Sequence, residues 1–376
     1  MEAFHYPRPD LASAIVGQMT PDPIFGGLSG IHLAAPRRTG KTTFLRRDLA
    51  PAILEAGKFP LIVDLWEDRS REPSDILRRR LGQSLDQLKS AAEKKLDRSR
   101  LRRISALGFS VGLSDLEPFS GTIPEGLERL GTGLRRDVVL VVDEAQQALV
   151  SEAGMDAMFA LKAARDAMNL REDGPRLYLV LTGSHRSKLA ELVLSAKAPF
   201  YGGTVQDFPV LGEDFVRAVI AQVASAQTAR TTPTLEDGIA AFGILMHRPE
   251  AFMQVLRDEI FEAALTTRDI DLTRRAETVR GALWTALEAE LDGLSDVQRA
   301  LFEALMDNPE DFSPFSSETL ADVAARSGSD RVTKSVAQRA MKTLIEKELV
   351  WQPGAGRYAV DNLDMLDMHR RTSQTA

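Results

Sequence analysis

The sequence contains no cysteine, which excludes disulfide bonds, cysteine-ligated zinc and thiol catalysis. It has only five histidines, and because they are scattered along the chain we do not expect a histidine-based metal site. No apolar run approaches the roughly 20 residues that a membrane-spanning helix needs. The first residues also lack the basic and apolar regions of a signal peptide. We therefore expect a cytoplasmic protein that makes no membrane contact.

Composition and charge are those of an ordinary globular protein. Hydrophobic residues make up 44% of the chain, and the net charge is −7 at pH 7. A length of 376 residues exceeds that of a typical single domain, so we expect two or three domains. Proteins that coat nucleic acid are usually basic overall, so any nucleic-acid contact made by this chain must be local.

The rest of the chain is organised around the segment Pro36-Arg-Arg-Thr-Gly-Lys-Thr-Thr43. A short apolar run ends before it at Ala35, and Phe44 and Leu45 follow with the spacing of a helix start. Strand, glycine-containing loop and helix, in this order, form the P-loop pattern. Backbone N–H groups and the positive end of the helix dipole converge at such a loop and stabilise an anion.

This pattern predicts that the chain binds ATP and Mg²⁺. Lys41 would carry its charge over the β- and γ-phosphates, and Thr42 would offer its hydroxyl to Mg²⁺. Ala35 stands where the strict pattern has its first glycine, and alanine keeps the loop path if its φ is negative. The alternative, a turn with an incidental lysine and threonine, is disfavoured by the strand and helix on either side. The predicted nucleotide-binding residues are Pro36, Arg37, Arg38, Thr39, Gly40, Lys41, Thr42 and Thr43.

Two acids follow the most apolar strand candidate, residues 138–142. Asp143 would hold Mg²⁺ through its water shell, and Glu144 would polarise the attacking water. The alternative is that the two acids merely end a strand and face solvent. Because they come after a P-loop within one α/β unit, the pattern favours ATP hydrolysis with Glu144 and Lys41 as catalytic residues.

Further polar residues follow the next strand candidate. Thr182 or Ser184 would hydrogen-bond the γ-phosphate or the lytic water, and the sequence does not choose between them. A glycine-containing turn that needs Ser and Thr for local hydrogen bonds is the alternative. Arg186 and Arg248 are candidates for stabilising transition-state charge, in cis or from a neighbouring subunit, although single arginines are more often surface residues.

Up to residue 211, strand candidates alternate with helix candidates. This order predicts an α/β core, a parallel sheet covered on both faces, with ligands at the carboxyl ends of its strands. The predicted strands are residues 31–35, 59–65, 138–142, 177–181 and 205–210. The predicted helices are residues 11–19, 42–54, 73–103, 123–134 and 155–170, with a hairpin at residues 104–113.

From residue 212 onward the pattern is almost wholly helical. Helices are predicted at residues 234–246, 250–264, 278–291, 296–306, 317–325 and 333–348, and two strands around a Pro-Gly turn at residues 350–360. Three helices followed by a hairpin predict a winged helix. The predicted domains are an α/β core (1–211), a helical lid (212–291), a winged-helix domain (292–365) and a disordered tail (366–376).

Taken together, the motifs resemble the archaeal-ATPase-like proteins, a family grouped with the AAA+ and STAND P-loop ATPases. The resemblance rests on the P-loop, on Val139-Leu-Val-Val-Asp-Glu-Ala-Gln146, on Leu181-Thr-Gly-Ser184 and on Ala198-Pro-Phe-Tyr-Gly202. It covers roughly residues 5–365, only loosely over residues 66–135. It implies an AAA+-like P-loop NTPase core, a lid, a winged helix and ATP hydrolysis.

The chain departs from the family pattern at two positions. Gly203 stands where the family usually has an arginine, which implies slow hydrolysis or the use of another group. Met246-His-Arg-Pro249 stands where the lid usually has Gly-Gly-x-Pro, and Arg248 is the candidate for a lid sensor.

We therefore expect a Mg²⁺-dependent ATPase that acts as a nucleotide-driven switch coupled to the winged helix. The winged helix would contact duplex DNA through phosphates, or a partner protein, because acids lie near its basic residues. One alternative is a DNA loader or remodeller that forms an ATP-dependent homo-oligomer. Another is a sensor that hardly turns over, which Gly203 slightly favours. A nucleotide kinase is disfavoured. The basic residues of the predicted winged helix are Arg331, Lys334, Arg339, Lys342 and Lys347.

Overall fold

The structure is a computed structural model that describes residues 4–19, 30–93, 117–226, 232–266, 268–347, 349–354 and 356–375. The described residues form two compact units. One contains those between 5 and 37 and between 41 and 209, and the other contains Phe4, residues 38–40 and those from 210 onward. The predicted hairpin at residues 104–113 and the end of the predicted helix 73–103 lie outside the described residues.

The first unit contains a parallel sheet. Its five strands lie in the order β2-β3-β4-β1-β5, and every pair is parallel. The expectation of a parallel α/β core is therefore confirmed. The strands are β1 (Gly30–Ala34), β2 (Phe59–Asp64), β3 (Val138–Asp143), β4 (Leu177–Gly183) and β5 (Val205–Asp207).

One helix precedes the first strand of this unit, and the others lie between its strands. In chain order, these helices are α1 (Pro9–Gln18), α2 (Lys41–Phe44), α3 (Ala50–Glu55), α4 (Pro73–Glu93), α5 (Ile123–Leu134), α6 (Glu152–Asn169) and α7 (Arg186–Leu194). α5 begins with a capping box in which Thr122 and Glu125 satisfy each other's backbone N–H groups. The helix predicted from residue 73 is α4, and its description ends at Glu93.

The sheet is buried on both faces because its side chains alternate between two hydrophobic clusters. In β3, Val138, Leu140 and Val142 belong to a cluster that includes residues of α4, α5 and α6. Val139 and Val141 belong to a second cluster, with residues of α1, α2 and α3. The uninterrupted apolar run of β3 is thus the sequence of a strand without a solvent face.

The helix after the P-loop runs on past Pro51, although proline has no N–H for the helical ladder. A π-helical segment, Leu45–Leu49, joins α2 to α3, and the N–H of Ala50 donates to the carbonyl of Leu45. Pro51 then lies in the first turn of α3, directly after the segment in which the hydrogen bonds change from the α to the π pattern. The proline therefore shifts the helical hydrogen bonding without ending the helix.

The second unit is mainly helical. Its elements are α8 (Glu213–Ala226), α9 (Leu235–Ile244), α10 (Pro249–Thr266), α11 (Leu272–Asp292), α12 (Asp296–Asp307), α13 (Ser317–Arg326), α14 (Lys334–Glu346), β6 (Val350–Gly354), β7 (Arg357–Val360) and α15 (Leu363–Thr375). α11 begins earlier than the predicted residue 278, because Asp271 caps it by accepting the N–H of Arg274 and Leu272 is buried. β6 and β7 pair antiparallel. The boundaries predicted for the lid and the winged helix stay predictions.

The prediction of a disordered tail at residues 366–376 was wrong, because the described residues up to Thr375 belong to α15. Met365 and Met368 are buried in the hydrophobic cluster that also holds Leu301. His369 Nε2 lies 2.7 Å from Asp307 Oδ1. The two methionines, three positions apart, are the apolar face that a packed helix requires.

Within the described ranges, no helix combines the length and apolarity needed to span a bilayer.

Candidate functional site

The loop between β1 and α2 has the backbone geometry of an anion-binding turn. Arg38 (φ 64°) and Gly40 (φ 86°) have left-handed backbone on either side of the buried Thr39. Such turns orient successive N–H groups towards one concavity. Ala35 is not in the left-handed region, and its N–H donates to the carbonyl of Gly183 at 3.0 Å. Alanine therefore replaces the usual first glycine without strain.

Lys41 begins α2 and points its ammonium at the two acids that end β3. Lys41 Nζ lies 2.7 Å from Glu144 Oε1 and 3.2 Å from Asp143 Oδ1. The lysine is only 6% exposed and Asp143 only 1%. The single positive charge of this ammonium is shared between two carboxylates that are adjacent in the sequence.

Asp143 is held by hydroxyls from two different elements. Thr42 Oγ1 donates to Asp143 Oδ2 at 2.6 Å, and Thr182 Oγ1 donates to Oδ1 at 2.5 Å. Burial alone would raise the pKa of Asp143, but the charge of Lys41 and the two hydroxyl bonds outweigh it, and the pKa lies below its ordinary value. The carboxylate therefore stays ionised at neutral pH.

Glu144 is held at both carboxylate oxygens. Oε1 contacts Lys41, whereas Oε2 accepts hydrogen bonds from Ser184 Oγ at 2.7 Å and from Gln146 Nε2 at 2.5 Å. Burial opposes ionisation here too, but Lys41 overcomes it, so the pKa of Glu144 lies below its ordinary value. The backbone of Glu144 is left-handed (φ 53°), which turns the chain sharply at the end of β3.

The donor set beside Lys41 suits Mg²⁺. Asp143 supplies carboxylate oxygens and Thr42 a hydroxyl oxygen, the hard ligands that Mg²⁺ prefers. Across the described residues, no cluster of three or more acidic or histidine side chains could hold a metal by itself.

The other predicted nucleotide-binding residues line the loop. Pro36, Arg37, Arg38 and Thr43 are exposed, whereas Thr39 is buried. The guanidinium of Arg37 stacks over the ring of Trp66, 4.3 Å from its centroid. Arg37 is therefore positioned by the segment that follows β2.

The two candidate arginines form ion pairs. Arg186, at the start of α7, pairs with Asp207 and donates to the carbonyl of Val205 at 2.9 Å. Arg248 belongs to the second unit, where it pairs with Asp364 of α15. Arg186 is therefore held by β5 and the residues beside it, and Arg248 by α15.

Gly203 lies in a crowded place. A Cβ atom there would be 2.9 Å from His32 Cε1 and 3.2 Å from the carbonyl oxygen of Phe200. The arginine that the resembled family usually has at this position would not fit without movement of these neighbours.

Asp64 and Gln146 belong to the site but were not predicted as site residues. Asp64 ends β2 opposite Asp143 in the register. Burial, partly offset by the Trp66 N–H and reinforced by the charges of Asp143 and Glu144, raises the pKa of Asp64 to about 6. Its position at the end of an apolar run was a usable signal, because neighbouring parallel strands end at one edge.

Comparison with known proteins supports the fold. No protein-family model matches this sequence, and no curated protein does. Among solved structures, the chain is similar to a Walker-type ATPase of Pyrococcus abyssi, with a TM-score of 0.56 and 16% identity over 96% of this chain and 95% of that one.

The chain is also similar to the ORC2 protein of Aeropyrum pernix in its ADP form. The TM-score is 0.59 and the identity 14%, over 98% of this chain and 94% of that one. Together with the sheet order and the P-loop, these similarities show the P-loop NTPase fold. At such low identities they show the fold alone.

Proposed function

We propose that a chain with this fold and this site binds ATP with Mg²⁺ and hydrolyses it, and that hydrolysis drives a conformational switch. The observation that carries the proposal is the position of the Lys41 ammonium, 2.7 Å from Glu144 and 3.2 Å from Asp143, with Thr42 bonded to the same aspartate. A phosphate-binding cation, a pair of metal-binding oxygens and a candidate base thus lie within hydrogen-bonding reach of one another.

In the proposed reaction, Lys41 turns from the acids to the β- and γ-phosphates, and the loop N–H groups hold the phosphate oxygens. Thr42 and Asp143 would hold Mg²⁺, which supplies charge stabilisation to the phosphates. The water oxygen bonds to the γ-phosphorus, and the bond to the β,γ-bridging oxygen breaks with its electron pair on ADP. Glu144 orients the water and takes its proton, which later passes to solvent.

The contacts of the two polar residues after β4 support different roles for them. Thr182 bonds Asp143 and would orient the metal-binding carboxylate. Ser184 bonds Glu144 and would orient the carboxylate that takes the proton of the water. Both roles depend on nucleotide being bound at the loop.

The switch part of the proposal concerns the second unit. Loss of the γ-phosphate would change contacts of the proposed lid (212–291) and so move the proposed winged helix (292–365). The order of elements supports a winged helix, since α12, α13 and α14 are followed by the β6–β7 hairpin. Arg248 would act as the lid sensor only after leaving Asp364.

One observation favours DNA contact through the proposed winged helix. The five basic side chains predicted for this role are all exposed, and of these Lys342 has a loose ion pair with Glu346 at 3.6 Å. An exposed basic surface suits phosphate contacts, which would make DNA binding strongly salt-dependent. If the winged helix binds DNA, the proposed function is that of an ATP-dependent homo-oligomer that loads or remodels DNA. The five side chains are Arg331, Lys334, Arg339, Lys342 and Lys347.

A second observation favours slow turnover. Arg186 and Arg248 are both engaged by carboxylates, and Gly203 has no room for an arginine. Without an arginine on the γ-phosphate, hydrolysis loses a large stabilising effect. If hydrolysis is slow, the proposed function is that of a sensor, which keeps its nucleotide and uses the winged helix to contact a partner protein.

Two substitutions test the ATPase proposal. Lys41→Ala should abolish binding of a fluorescent ATP analogue, with Lys197→Ala, an exposed lysine, as its control. Glu144→Gln should keep ATP binding but lower hydrolysis by about 100-fold or more, so that ATP stays bound. Glu172→Gln, an exposed glutamate, is its control. Unchanged binding in the first and unchanged turnover in the second would refute the proposal.

Measuring the particle size of the purified protein distinguishes a DNA loader from a sensor. A loader should form larger particles with non-hydrolysable ATP and bind duplex DNA with a steep salt dependence. A sensor should stay monomeric, with or without DNA, and release nucleotide slowly.

A further inference from the structure

Gln146 has an unusual place for a polar side chain. The left-handed backbone of Glu144 turns the chain into a short 3-10 helix, Ala145–Val150, directly after β3. This turn buries Gln146, which is only 3% exposed. A buried amide needs partners for its N–H groups and its carbonyl.

The amide nitrogen of Gln146 bridges the two residues that ATP hydrolysis is proposed to use. Gln146 Nε2 donates to Glu144 Oε2 at 2.5 Å and to Ser184 Oγ at 3.1 Å. Ser184 donates to the same Oε2 through its hydroxyl at 2.7 Å and its N–H at 3.3 Å. Oε2 thus accepts three hydrogen bonds, whereas Oε1 contacts Lys41 at 2.7 Å.

This asymmetry divides the carboxylate into an anchored oxygen and an available one. A carboxylate oxygen has about two lone pairs, so three donors leave Oε2 no capacity for a water. Oε1 becomes available when Lys41 turns to a phosphate. The side chain would then keep its orientation through Oε2 alone.

We infer that Gln146 is a positioning residue that, with Ser184, anchors Glu144 Oε2 so that Oε1 is the oxygen that receives the proton of the attacking water. The inference rests on the proposed ATP hydrolysis and adds to it a residue that does not touch the substrate. It also links the segment after β3 to the one after β4.

The other end of the amide supports a functional role over a stabilising one. Gln146 Oε1 is buried and has no hydrogen-bond partner among the described residues. Leaving a buried acceptor unsatisfied is unfavourable, because the carbonyl loses the hydrogen bond that water would give it. Reversing the amide would turn its carbonyl against the Glu144 carboxylate. An apolar side chain of similar size would avoid this cost, so the donors of the amide account for its presence.

Gly183 makes room for this arrangement. A Cβ atom on Gly183 would lie 2.6 Å from Gln146 Oε1 and 3.4 Å from Leu189 Cβ. Gly183 has no left-handed backbone that would require glycine, so the close approach of the amide is the reason for it. We expect Gly183→Ala to displace the amide of Gln146 while Glu144, Ser184 and Lys41 keep their native side chains.

The first test is Gln146→Met, which keeps the approximate size of the side chain and removes the donors. We expect kcat for ATP to fall about 10–100-fold, because the base loses its orientation. KM and the affinity for a non-hydrolysable analogue should change about twofold at most, because neither oxygen of Glu144 binds substrate. Gln147→Met, on the same short helix and half-buried, is the control.

The second test distinguishes positioning from a merely structural role. In a Glu144→Gln background, Gln146→Met should lower the single-turnover rate less than about twofold, because the group it acts through is already gone. A structural defect would lower the rate by the same factor in both backgrounds. Gly183→Ala should repeat the kcat loss of Gln146→Met, which keeps the inference testable if that variant folds poorly.

Two results would overturn the inference: an unchanged kcat in folded Gln146→Met, or the same loss in the Glu144→Gln background. These results differ from failure of the proposed function. In that case the unmodified protein would not hydrolyse ATP, or Glu144→Gln would hydrolyse it at the same rate.

Discussion

Replacing Lys41 by methionine should destabilise the protein even before any nucleotide is added. Methionine keeps an unbranched chain of similar length but removes the ammonium that lies between Asp143 and Glu144. Asp143 is 1% exposed and cannot turn to water without breaking its bonds to Thr42 and Thr182. The variant would therefore hold two adjoining carboxylates with no cation between them.

The expected loss of stability can be estimated from the burial of the ion pair between Lys41 and the two acids. Removing one partner of a buried ion pair costs about 3–5 kcal/mol, because the remaining charge stays desolvated. For a unit of this size, each kcal/mol corresponds to about 2–4 °C in the melting temperature, so we expect a fall of roughly 6–20 °C.

The loss of unfolding free energy in Lys41→Met should depend on pH, because Asp143 and Glu144 change their ionisation with pH. In the unmodified protein the pKa values of Asp143 and Glu144 are lowered from 3.8 and 4.5, so their contribution to stability is present above these values and lost as pH falls. Without Lys41 the burial remains and raises both pKa values, so the variant loses stability as pH rises. The difference between the two proteins should be largest near pH 8 and smaller near pH 5.

The assay is urea unfolding in EDTA, at pH 8 and pH 5, followed by tryptophan fluorescence. Of the three tryptophans, Trp66 belongs to the first unit. Replacing Trp284 and Trp351 by phenylalanine leaves Trp66 to report on that unit alone. The two units need not unfold together, so a signal from all three tryptophans would mix two transitions.

A matched control and a double variant complete the design. Lys58→Met removes a more exposed ion pair of the same unit, Lys58 to Asp137 at 2.8 Å, and should cost about 1 kcal/mol. Adding Glu144→Gln to Lys41→Met removes one of the unpaired charges and should restore about 1–2 kcal/mol. If Lys41→Met cost no more than the control, or cost the same at both pH values, the electrostatic reasoning would be refuted.

Three further predictions concern residues outside the loop. The pKa of Asp64 is raised to about 6, so its contribution to stability is present below about pH 4 and lost as pH rises through 6. Asp64→Asn should therefore be more stable than the unmodified protein at pH 8 but not at pH 4. An equal difference in unfolding free energy at both pH values, measured by urea unfolding, would contradict this. Gly203→Arg should destabilise by about 1–3 kcal/mol through its clash with His32 and should not accelerate ATP hydrolysis; a stable, faster enzyme would show that the site has more room. Deleting residues 366–376 should lower the melting temperature of the second unit, because it removes the buried Met368, at about 1.5–3 kcal/mol; a disordered tail would leave it unchanged.

Much of the fold was predictable because its signals are local. The apolar runs of β3 and β4 predict buried strands, and their alternation with helices predicts a parallel sheet. The strand, loop and helix around Lys41 follow from a few adjacent residues. The tail was misjudged because burial of Met365 and Met368 depends on partners far away in the chain.

The site was predictable only in part. The residues at the strand ends could be named because parallel strands end at one edge of the sheet. Which hydroxyl meets which acid depends on the strand order and register, and the structure pairs Thr182 with Asp143 and Ser184 with Glu144. Asp64 was missed although it ends a recognisable strand, because nothing local indicates that β2 lies beside β3.

By itself, the sequence determined that a phosphate-type loop leads into a helix and that two acids end a buried strand, since periodicity and motif spacing act over a few residues. Only the tertiary structure decided that Lys41 lies between those acids, that Gln146 braces one of them and that Arg186 and Arg248 are occupied by carboxylates. Each of these contacts, apart from that of Gln146 with its near neighbour, joins residues far apart in the chain. Such contacts depend on how the whole chain packs.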